Sequence, residues 1–417
     1  MLQPVYNGSL HWFAVLTAAA TLALLGAGGL VTSHGVGLAV PDWPNSYGYN
    51  MFFFPVSQWV GGVFYEHTHR LAASGVGLMT AMLALWLCGR NARRFMRRTG
   101  FALLLLGIGL GFSAPRHRLD GMVVGLSGLL CSGASFVWPG CEPSSKGLRR
   151  LGLVAFFAVV LQGLLGGLRV VLIRDQIGIF HAALAQLFFV SICILALLTS
   201  RWWQARELKV AVPGMLGEVQ SPGALRWLFL ATTLVVLGQL VLGATMRHQH
   251  AGLAIPDFPL AYGRLWPATD PASVARFNQQ RLEATALNPI TAFEITLQMV
   301  HRLVAVLIFL GSAFCAWATR RRLGAKNVLS RLSLVWLGLV SAQGFLGAAT
   351  IWSNKAADIA TIHVLVGALL LAVGTILTIV SNGEFGFNKP QASHLKATGA
   401  SSHLPFGRPF GAAASLQ

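Results

Sequence analysis

Long apolar runs alternate with short basic clusters along this chain. A transmembrane helix needs about 20 predominantly apolar residues, and eight runs reach that length. They lie near 11–32, 67–89, 151–173, 177–199, 226–245, 295–318, 331–351 and 359–380. Two shorter candidates lie near 101–115 and 121–139. The pattern predicts an all-α polytopic membrane protein with eight core spans and about ten spans in total.

The composition supports this prediction. Hydrophobic residues make up 55% of the 417 residues and charged residues only 11%, whereas a soluble protein carries about 25% charged residues. The formal net charge is +18, but Lys and Arg gather in loops, as membrane topology requires. The basic charge therefore does not indicate a nucleic-acid partner. The five cysteines show no CxxC spacing, so neither a disulfide framework nor a cysteine-held metal is indicated.

The basic clusters predict the orientation, because cytoplasmic loops carry an excess of Lys and Arg. The clusters lie at 90–98, 146–150, 201–209 and 320–326. The loop 33–65 has no Lys or Arg, so we place it outside, and 246–293 follows by alternation. We expect both termini in the cytoplasm and the first apolar run retained as a span rather than cleaved as a signal peptide.

Two stretches of the predicted outer loops are copies of one another. Residues 37–48 read GLAVPDWPNSYG and residues 252–263 read GLAIPDFPLAYG, with eight of twelve positions identical. We call them the first and second copied loops. A match of this length indicates an internal duplication in which each half contributes a four-helix bundle of the same orientation, a parallel repeat.

The duplication predicts the domain organisation. The N-terminal half covers 1–200, a cytoplasmic linker 201–224 and the C-terminal half 225–381. The remaining segment, 382–417, is rich in Gly, Ser, Ala and Pro, and we expect it to be disordered and cytoplasmic.

The spacing of four histidines locates an insertion in the first half. His69 and His181 are 112 residues apart, whereas their counterparts His301 and His363 are 62 apart. The 50 extra residues predict an inserted helical hairpin at about 101–139. If this hairpin does not cross the membrane, the span count is eight.

The same four histidines lie inside predicted spans, where a titratable side chain is costly and needs a reason. All four lie in the first turns of spans that run inward from the outside, so each half offers two histidines at one level. Opposed histidines on separate helices can ligate a heme iron on both faces. The alternative is that each imidazole forms a hydrogen bond with a backbone carbonyl or a neighbouring helix, which accounts less well for four matched positions.

Four further histidines lie at or beyond the outer boundary and have no counterpart at span depth. We interpret them as loop residues: His34, His67, His248 and His250. A zinc site would need more ligands in each half, and no set of cysteines or carboxylates supplies them.

The residues around the first histidine of each pair add candidate chemistry. Arg70 and Arg302 follow the histidines, and Arg binds carboxylates bidentately; heme propionates are one predicted partner, and snorkelling to the interface is the alternative. Glu66 precedes His69 on the same helix face, whereas the matching residue is Gln298. We predict that Glu66 moves protons or stabilises developing positive charge, with an ion pair to Arg70 as the alternative.

Together these motifs resemble the heme A synthase family. The resemblance is carried by Glu-x-x-His-Arg at 66–70, Gln-x-x-His-Arg at 298–302, the copied loops, and Gln-Gly-x-Leu-Gly at 162–166 and 343–347. It covers about residues 11–380 apart from 101–150. It implies an oxidoreductase that converts the C8 methyl group of heme o into a formyl group by successive hydroxylations and supplies heme A to cytochrome oxidase.

The resemblance also implies a division of labour between the halves. Substrate heme o would lie between His69 and His181 with Glu66 as the catalytic carboxylate, and a heme b cofactor between His301 and His363. The expected neighbour is heme O synthase, a farnesyltransferase. The expected location is the cell (inner) membrane with the heme sites near the outer face. The electron-transfer partner and the oligomeric state, a homo-oligomer included, stay open.

Two departures from the family are visible, and two other function classes stay open. Some members carry a cysteine pair in the outer loop of the N-terminal half, but 33–65 contains none. The inserted hairpin is also unfamiliar. A diheme b-type membrane electron-transfer protein would fit the histidines, although it has no need of Glu66. A transporter would fit the tandem repeat.

Overall fold

The structure is a computed structural model that describes residues 6–113, 118–211, 223–280 and 289–382. These ranges contain α-helices and short 3-10 turns but no β-strand. The helices are α1 (Gly8–Ser33), α2 (Gly61–Leu87), α3 (Arg90–Ser113), α4 (Arg118–Val137), α5 (Lys146–Leu172), α6 (Asp175–Thr199), α7 (Arg201–Ala211), α8 (Gly223–His248), α9 (Pro271–Gln280), α10 (Ala292–Leu323), α11 (Val328–Trp352) and α12 (Ala357–Ser381).

Within the described residues, nine helices are long and apolar enough to cross a membrane: α1, α2, α3, α5, α6, α8, α10, α11 and α12. Helix α4 has a shorter apolar stretch, Gly121–Val137. The prediction of an all-α polytopic membrane protein is confirmed. The predicted linker begins as helix α7, while its remainder, 212–222, and the predicted disordered tail from 383 onward lie outside the described residues.

The four long helices of each half contact one another in a ring. In the first half α1 packs on α2 and α6, and α5 packs on α2 and α6. In the second half α8 and α11 each pack on both α10 and α12. Helices α2 and α6 are therefore diagonal across the first ring, and α10 and α12 are diagonal across the second.

The halves meet where α6 packs on α12, flanked by contacts of α1 with α12 and of α6 with α8. One apolar core runs through both halves and includes Leu83, Ile192, Phe229 and Trp336. The Trp336 indole donates a hydrogen bond to the carbonyl of Leu370 (2.9 Å), so its one polar group is satisfied inside this core. The rings are thus joined by continuous apolar packing.

Local sequence sets where α10 begins, and hence where its functional residues lie. The Thr291 hydroxyl accepts from the Glu294 backbone N–H, and the Glu294 carboxylate accepts from the Thr291 N–H (2.8 Å). This capping box satisfies two N–H groups that the first helical turn leaves without partners. It places Gln298 and His301 in the second and third turns of α10.

The inserted segment forms a hairpin of α3 and α4, as predicted, but α3 begins at Arg90 rather than near 101. The basic cluster 90–98, predicted as a loop, is therefore helical. The two helices pack mainly on each other, backbone against backbone, because glycines line their interface. A Cβ atom at Gly107 or Gly128 would collide with backbone atoms of the partner helix, the close approach that small residues permit between membrane helices.

This packing predicts that Gly107→Val destabilises the hairpin by about 1 to 3 kcal/mol, since the added atoms force the helices apart. Hydrogen–deuterium exchange should accelerate in α3 and α4 and stay unchanged in the eight ring helices. The matched control is Gly109→Val, because a Cβ at Gly109 meets no atom within 4 Å. Equal exchange in the two variants would contradict the glycine interface.

Candidate functional site

The four predicted ligand histidines come together as two pairs, each across one ring. His69 on α2 lies within electrostatic range of His181 on α6, and His301 on α10 lies within range of His363 on α12. The structure thus brings together the residues that the sequence paired.

The ring nitrogens of these histidines are short of protein partners. In the described part of the chain, Nδ1 of all four is buried and has no hydrogen-bond partner. Each residue as a whole remains partly accessible. The alternative of hydrogen bonds to backbone carbonyls is therefore not seen at Nδ1, although Nε2 of His363 lies 3.4 Å from Gln343 on a neighbouring helix. Buried polar atoms without hydrogen-bond partners are unfavourable and indicate a missing ligand. An iron porphyrin bound between two imidazoles fits this donor set.

A glycine of a neighbouring helix lies against each imidazole in the first ring. A Cβ at Gly28 on α1 would come 3.0 Å from Cε1 of His69. A Cβ at Gly166 on α5 would come 3.4 Å from Cε1 of His181. Any larger side chain at Gly28 would push the ring from its position.

The second ring repeats this arrangement. A Cβ at Gly243 on α8 would lie 3.3 Å from Cε1 of His301, and one at Gly347 on α11 would lie 3.4 Å from Cε1 of His363. Gly28 and Gly243 are separated by the same 215 positions as the two copied loops. The space for each ring is therefore built in the same way in both halves.

Glutamines contact three of the four histidines, two of them through the backbone carbonyl. Gln162 Nε2 donates to the His181 carbonyl (3.0 Å), and Gln239 Nε2 donates to the His301 carbonyl (2.9 Å). Gln343 Nε2 lies 3.4 Å from Nε2 of His363. Sequence reasoning assigned no chemistry to the Gln-Gly-x-Leu-Gly runs and missed Gln239, although Gln-Leu-Val-Leu-Gly at 239–243 is a degenerate copy of that run.

Glu66 and Arg70 clamp the first copied loop onto α2. One Glu66 oxygen accepts from the Val40 backbone N–H (2.9 Å), and the other pairs with Arg70 (2.7 Å). Arg70 also donates to the carbonyls of Val40, Asp42 and Asn45, at 2.8, 2.7 and 3.0 Å. The carboxylate is 4% exposed, so the ion pair proposed as an alternative is present and shielded from water.

The second copied loop is clamped at the equivalent atoms. Gln298 Oε1 accepts from the Ile255 N–H (2.7 Å), where Glu66 accepts from Val40. Arg302 donates to the carbonyls of Asp257 (2.7 Å) and Leu260 (2.9 Å). Gln298 thus performs the anchoring task of Glu66 without its charge. Both arginines donate guanidinium N–H groups to loop carbonyls, a role that the sequence did not predict.

Each copied loop is also folded by its aspartate. The Asp42 carboxylate accepts from the N–H groups of Tyr47 (2.7 Å) and Gly48 (2.8 Å). Asp257 does the same for Tyr262 and Gly263. Burial raises the pKa of Asp42, but the hydrogen bonds from Gly48 and Tyr47 and the charge of Arg70 outweigh it, so the pKa is lowered. The carboxylate that shapes the loop therefore stays ionised at neutral pH.

Two histidines predicted to be loop residues lie inside helices, and those predictions are wrong. His67 is on α2 and fully buried, with Nδ1 3.2 Å from the Ser46 hydroxyl and its ring between Phe54 and Trp59. His248 ends α8 and packs on Gly178 of α6.

The contact of His67 with Ser46 belongs to the first half alone. Met299 and Ala261 occupy the equivalent positions in the second half, and both lie in an apolar cluster. Three charged or polar residues of the first half thus correspond to neutral or apolar residues at the equivalent positions of the second half. The pairs are Glu66 and Gln298, His67 and Met299, and Ser46 and Ala261.

Several heme A synthases are similar to this chain over more than half of its length. The heme A synthase of Methylobacterium radiotolerans is 29% identical over 301 residues, covering 69% of this chain and 76% of that protein. The heme A synthase of Geobacillus kaustophilus is 24% identical over 380 residues, covering 89% and 92%. The heme A synthase of Bradyrhizobium sp. ORS 278 is 31% identical over 256 residues, covering 59% and 63%.

Residues 116–375 match the COX15-CtaA family, whose description is cytochrome oxidase assembly protein. The match includes the second copied loop and three of the four paired histidines: His181, His301 and His363. Because it spans more than half of the sequence, the chain belongs to the COX15-CtaA family of cytochrome oxidase assembly proteins.

Proposed function

We propose that this protein is a heme A synthase, a membrane oxidoreductase that converts heme o into heme A for cytochrome oxidase assembly. The observation that carries the proposal is the asymmetry between two otherwise matched histidine pairs. Both halves present opposed imidazoles, but a buried carboxylate, Glu66, stands beside the first pair, whereas Gln298 stands beside the second. The names of the relatives support the same activity.

The asymmetry supports a substrate site in the first half and a cofactor site in the second. Heme o would be held by His69 and His181, and oxidation would take place at its C8 methyl group. A heme b held by His301 and His363 would pass electrons. The hemes supply the redox chemistry when bound, and the protein holds and orients them.

Glu66 would act on protons or charge at the substrate. Its carboxylate is buried, and one oxygen is neutralised by Arg70 while the other accepts from a backbone N–H. In such a poorly solvated place a fixed carboxylate interacts strongly with a positive charge that develops nearby. It could also receive a proton released from the substrate.

The arginines beside the histidines hold the copied loops over the two sites. Arg70 and Arg302 each donate to at least two loop carbonyls. These hydrogen bonds already engage the terminal nitrogens of both arginines. Contact of either arginine with a heme propionate stays a prediction.

The setting follows from the same assignment. We place the protein in the cell membrane with both sites near the outer face and both termini in the cytoplasm. Heme o would arrive from heme O synthase, a farnesyltransferase. The copied loops would then shield the sites from the outer aqueous phase.

Glu66→Gln should abolish production of formyl heme, with a fall of at least about 100-fold, because proton transfer contributes 10²–10⁴ to a rate. Loop anchoring should survive, since Gln298 performs it with the same amide group. The measurement is extraction of hemes from cells that co-express a farnesyltransferase supplying heme o.

The control is Gln298→Ala, which removes the anchor of the second copied loop and leaves Glu66 intact. Formyl heme produced by Glu66→Gln at the wild-type rate would exclude the carboxylate from the reaction. Recovery of heme b alone from the wild-type protein would favour the diheme electron carrier instead.

Replacement of the histidines should separate the two sites. His301→Ala or His363→Ala should remove the resident heme, seen as loss of the bis-histidine Soret band of the purified protein. His69→Ala or His181→Ala should abolish formyl heme and preserve that band. His34→Ala, at an exposed histidine that ends α1, should change neither. A resident heme that survives both C-terminal replacements would refute the assignment.

A further inference from the structure

Arg169 lies on the face of α5 that lines the first site. It follows Gly166, the glycine against His181, by three residues, and Gln162, which holds the His181 backbone, by seven. Residues three, four and seven apart share one face of a helix. Sequence reasoning assigned Arg169 no role.

The guanidinium of Arg169 lies against the start of the first copied loop. It packs on Gly37, where a Cβ would come 2.8 Å from Nη1. It is close enough to act electrostatically on both His69 and His181. A cation is thus held between the loop and the histidine pair.

This cation has no counterion in the described part of the chain. No side-chain hydrogen bond or salt bridge of Arg169 occurs there, where the ion pairs are Arg70–Glu66 and Arg90–Glu142. Arg70, in contrast, makes four hydrogen bonds. A partly buried charge without a partner is unfavourable, so an anionic ligand would stabilise it.

One neighbour of Arg169 adds positive charge. Arg247 on α8 lies within electrostatic range and is held across the two halves by donating to the Ser33 hydroxyl (2.7 Å) and the Gly29 carbonyl. His248 is also in range but is counted as neutral at pH 7, and Asp175 lies in range of His248. The junction of the two rings is therefore electropositive next to the first site.

Among the described residues, the second site has no cation at the equivalent helix position, although Arg247 lies within electrostatic range of His363. Thr350 stands three residues after Gly347, as Arg169 stands three after Gly166. Its hydroxyl donates to the Leu346 carbonyl of its own helix (2.8 Å). An arginine at this helix position is thus specific to the half whose site we assign to the substrate.

We propose that Arg169 binds a propionate carboxylate of the porphyrin held by His69 and His181. The inference rests on the proposed function, because it requires an iron porphyrin in the first ring. Arg matches a carboxylate with two parallel N–H groups, and the carboxylates lie at one edge of the porphyrin plane. Arg169 then orients the substrate by that edge and is a positioning residue.

The test titrates the purified full-length protein with iron protoporphyrin IX and with its dimethyl ester, whose propionates carry no charge. Binding to the first site is the part of the absorbance change that His69→Ala removes. The wild-type protein should prefer the free acid over the ester. Arg169→Gln should weaken binding of the acid about tenfold or more, the effect of one charge-assisted hydrogen bond, and leave binding of the ester unchanged. Arg169→Lys should recover part of the preference.

The matched control is Arg174→Gln, which removes an exposed arginine five residues further along the chain. Binding to the His301–His363 site, measured in the His69→Ala background, reports folding of each variant. An unchanged preference for the acid in Arg169→Gln would overturn the inference and leave the proposed function standing. Absence of any His69-dependent binding by the wild-type protein would overturn the proposed function, and the inference with it.

Discussion

The contact between a glycine and an imidazole, made four times, is the constraint on which the candidate sites depend. Each histidine enters from one diagonal helix of a ring, and the glycine that meets it belongs to a neighbouring helix. A glycine allows the helix backbone to approach the ring. Because protein interiors are close-packed, an added methyl group at Gly28 has no room without moving His69. The same contact gives the four helices of each half two tasks: two helices carry the paired histidines, and two carry the glycines that pack on them.

The clamps over the sites show how one architecture can serve two roles. A residue three positions before the first histidine anchors a backbone N–H of the copied loop in both halves, so this position is structural before it is chemical. An amide is sufficient for that anchor, and the carboxylate of Glu66 adds a charge that must be desolvated and paired with Arg70. A buried ion pair contributes little net stability, since desolvation offsets the attraction between its partners. The retention of an ionisable group where a neutral one suffices is therefore the physical reason to assign chemistry to the first half.

Several features of the molecule could be predicted from sequence, and the predictions that failed did so for physical reasons. Apolar runs located the ring helices to within a few residues, because a helix in lipid must satisfy its own backbone and shield it with apolar side chains. The pairing of the histidines followed from the duplication. The helical start of α3 at Arg90 was missed, because hydropathy assigns a run of charged residues to a loop. A helix can nevertheless extend beyond its apolar stretch into such a run. His67 was misassigned for a related reason, since proximity to a loop does not reveal that Ser46, Phe54 and Trp59 fold back over the ring.

The sequence by itself determined the apolar helices and the copied loops and predicted which histidines form pairs, because these depend on periodicity and on residue types that are costly in a membrane. Only the tertiary structure decided what each polar side chain contacts. The guanidinium of Arg70 donates hydrogen bonds to loop carbonyls. Arg169 belongs to no sequence motif, yet it lies near the histidine pair and has no counterion among the described residues. Helix packing and loop folding bring together atoms that are distant in the chain, and hydrogen bonding within that arrangement allocates the charges.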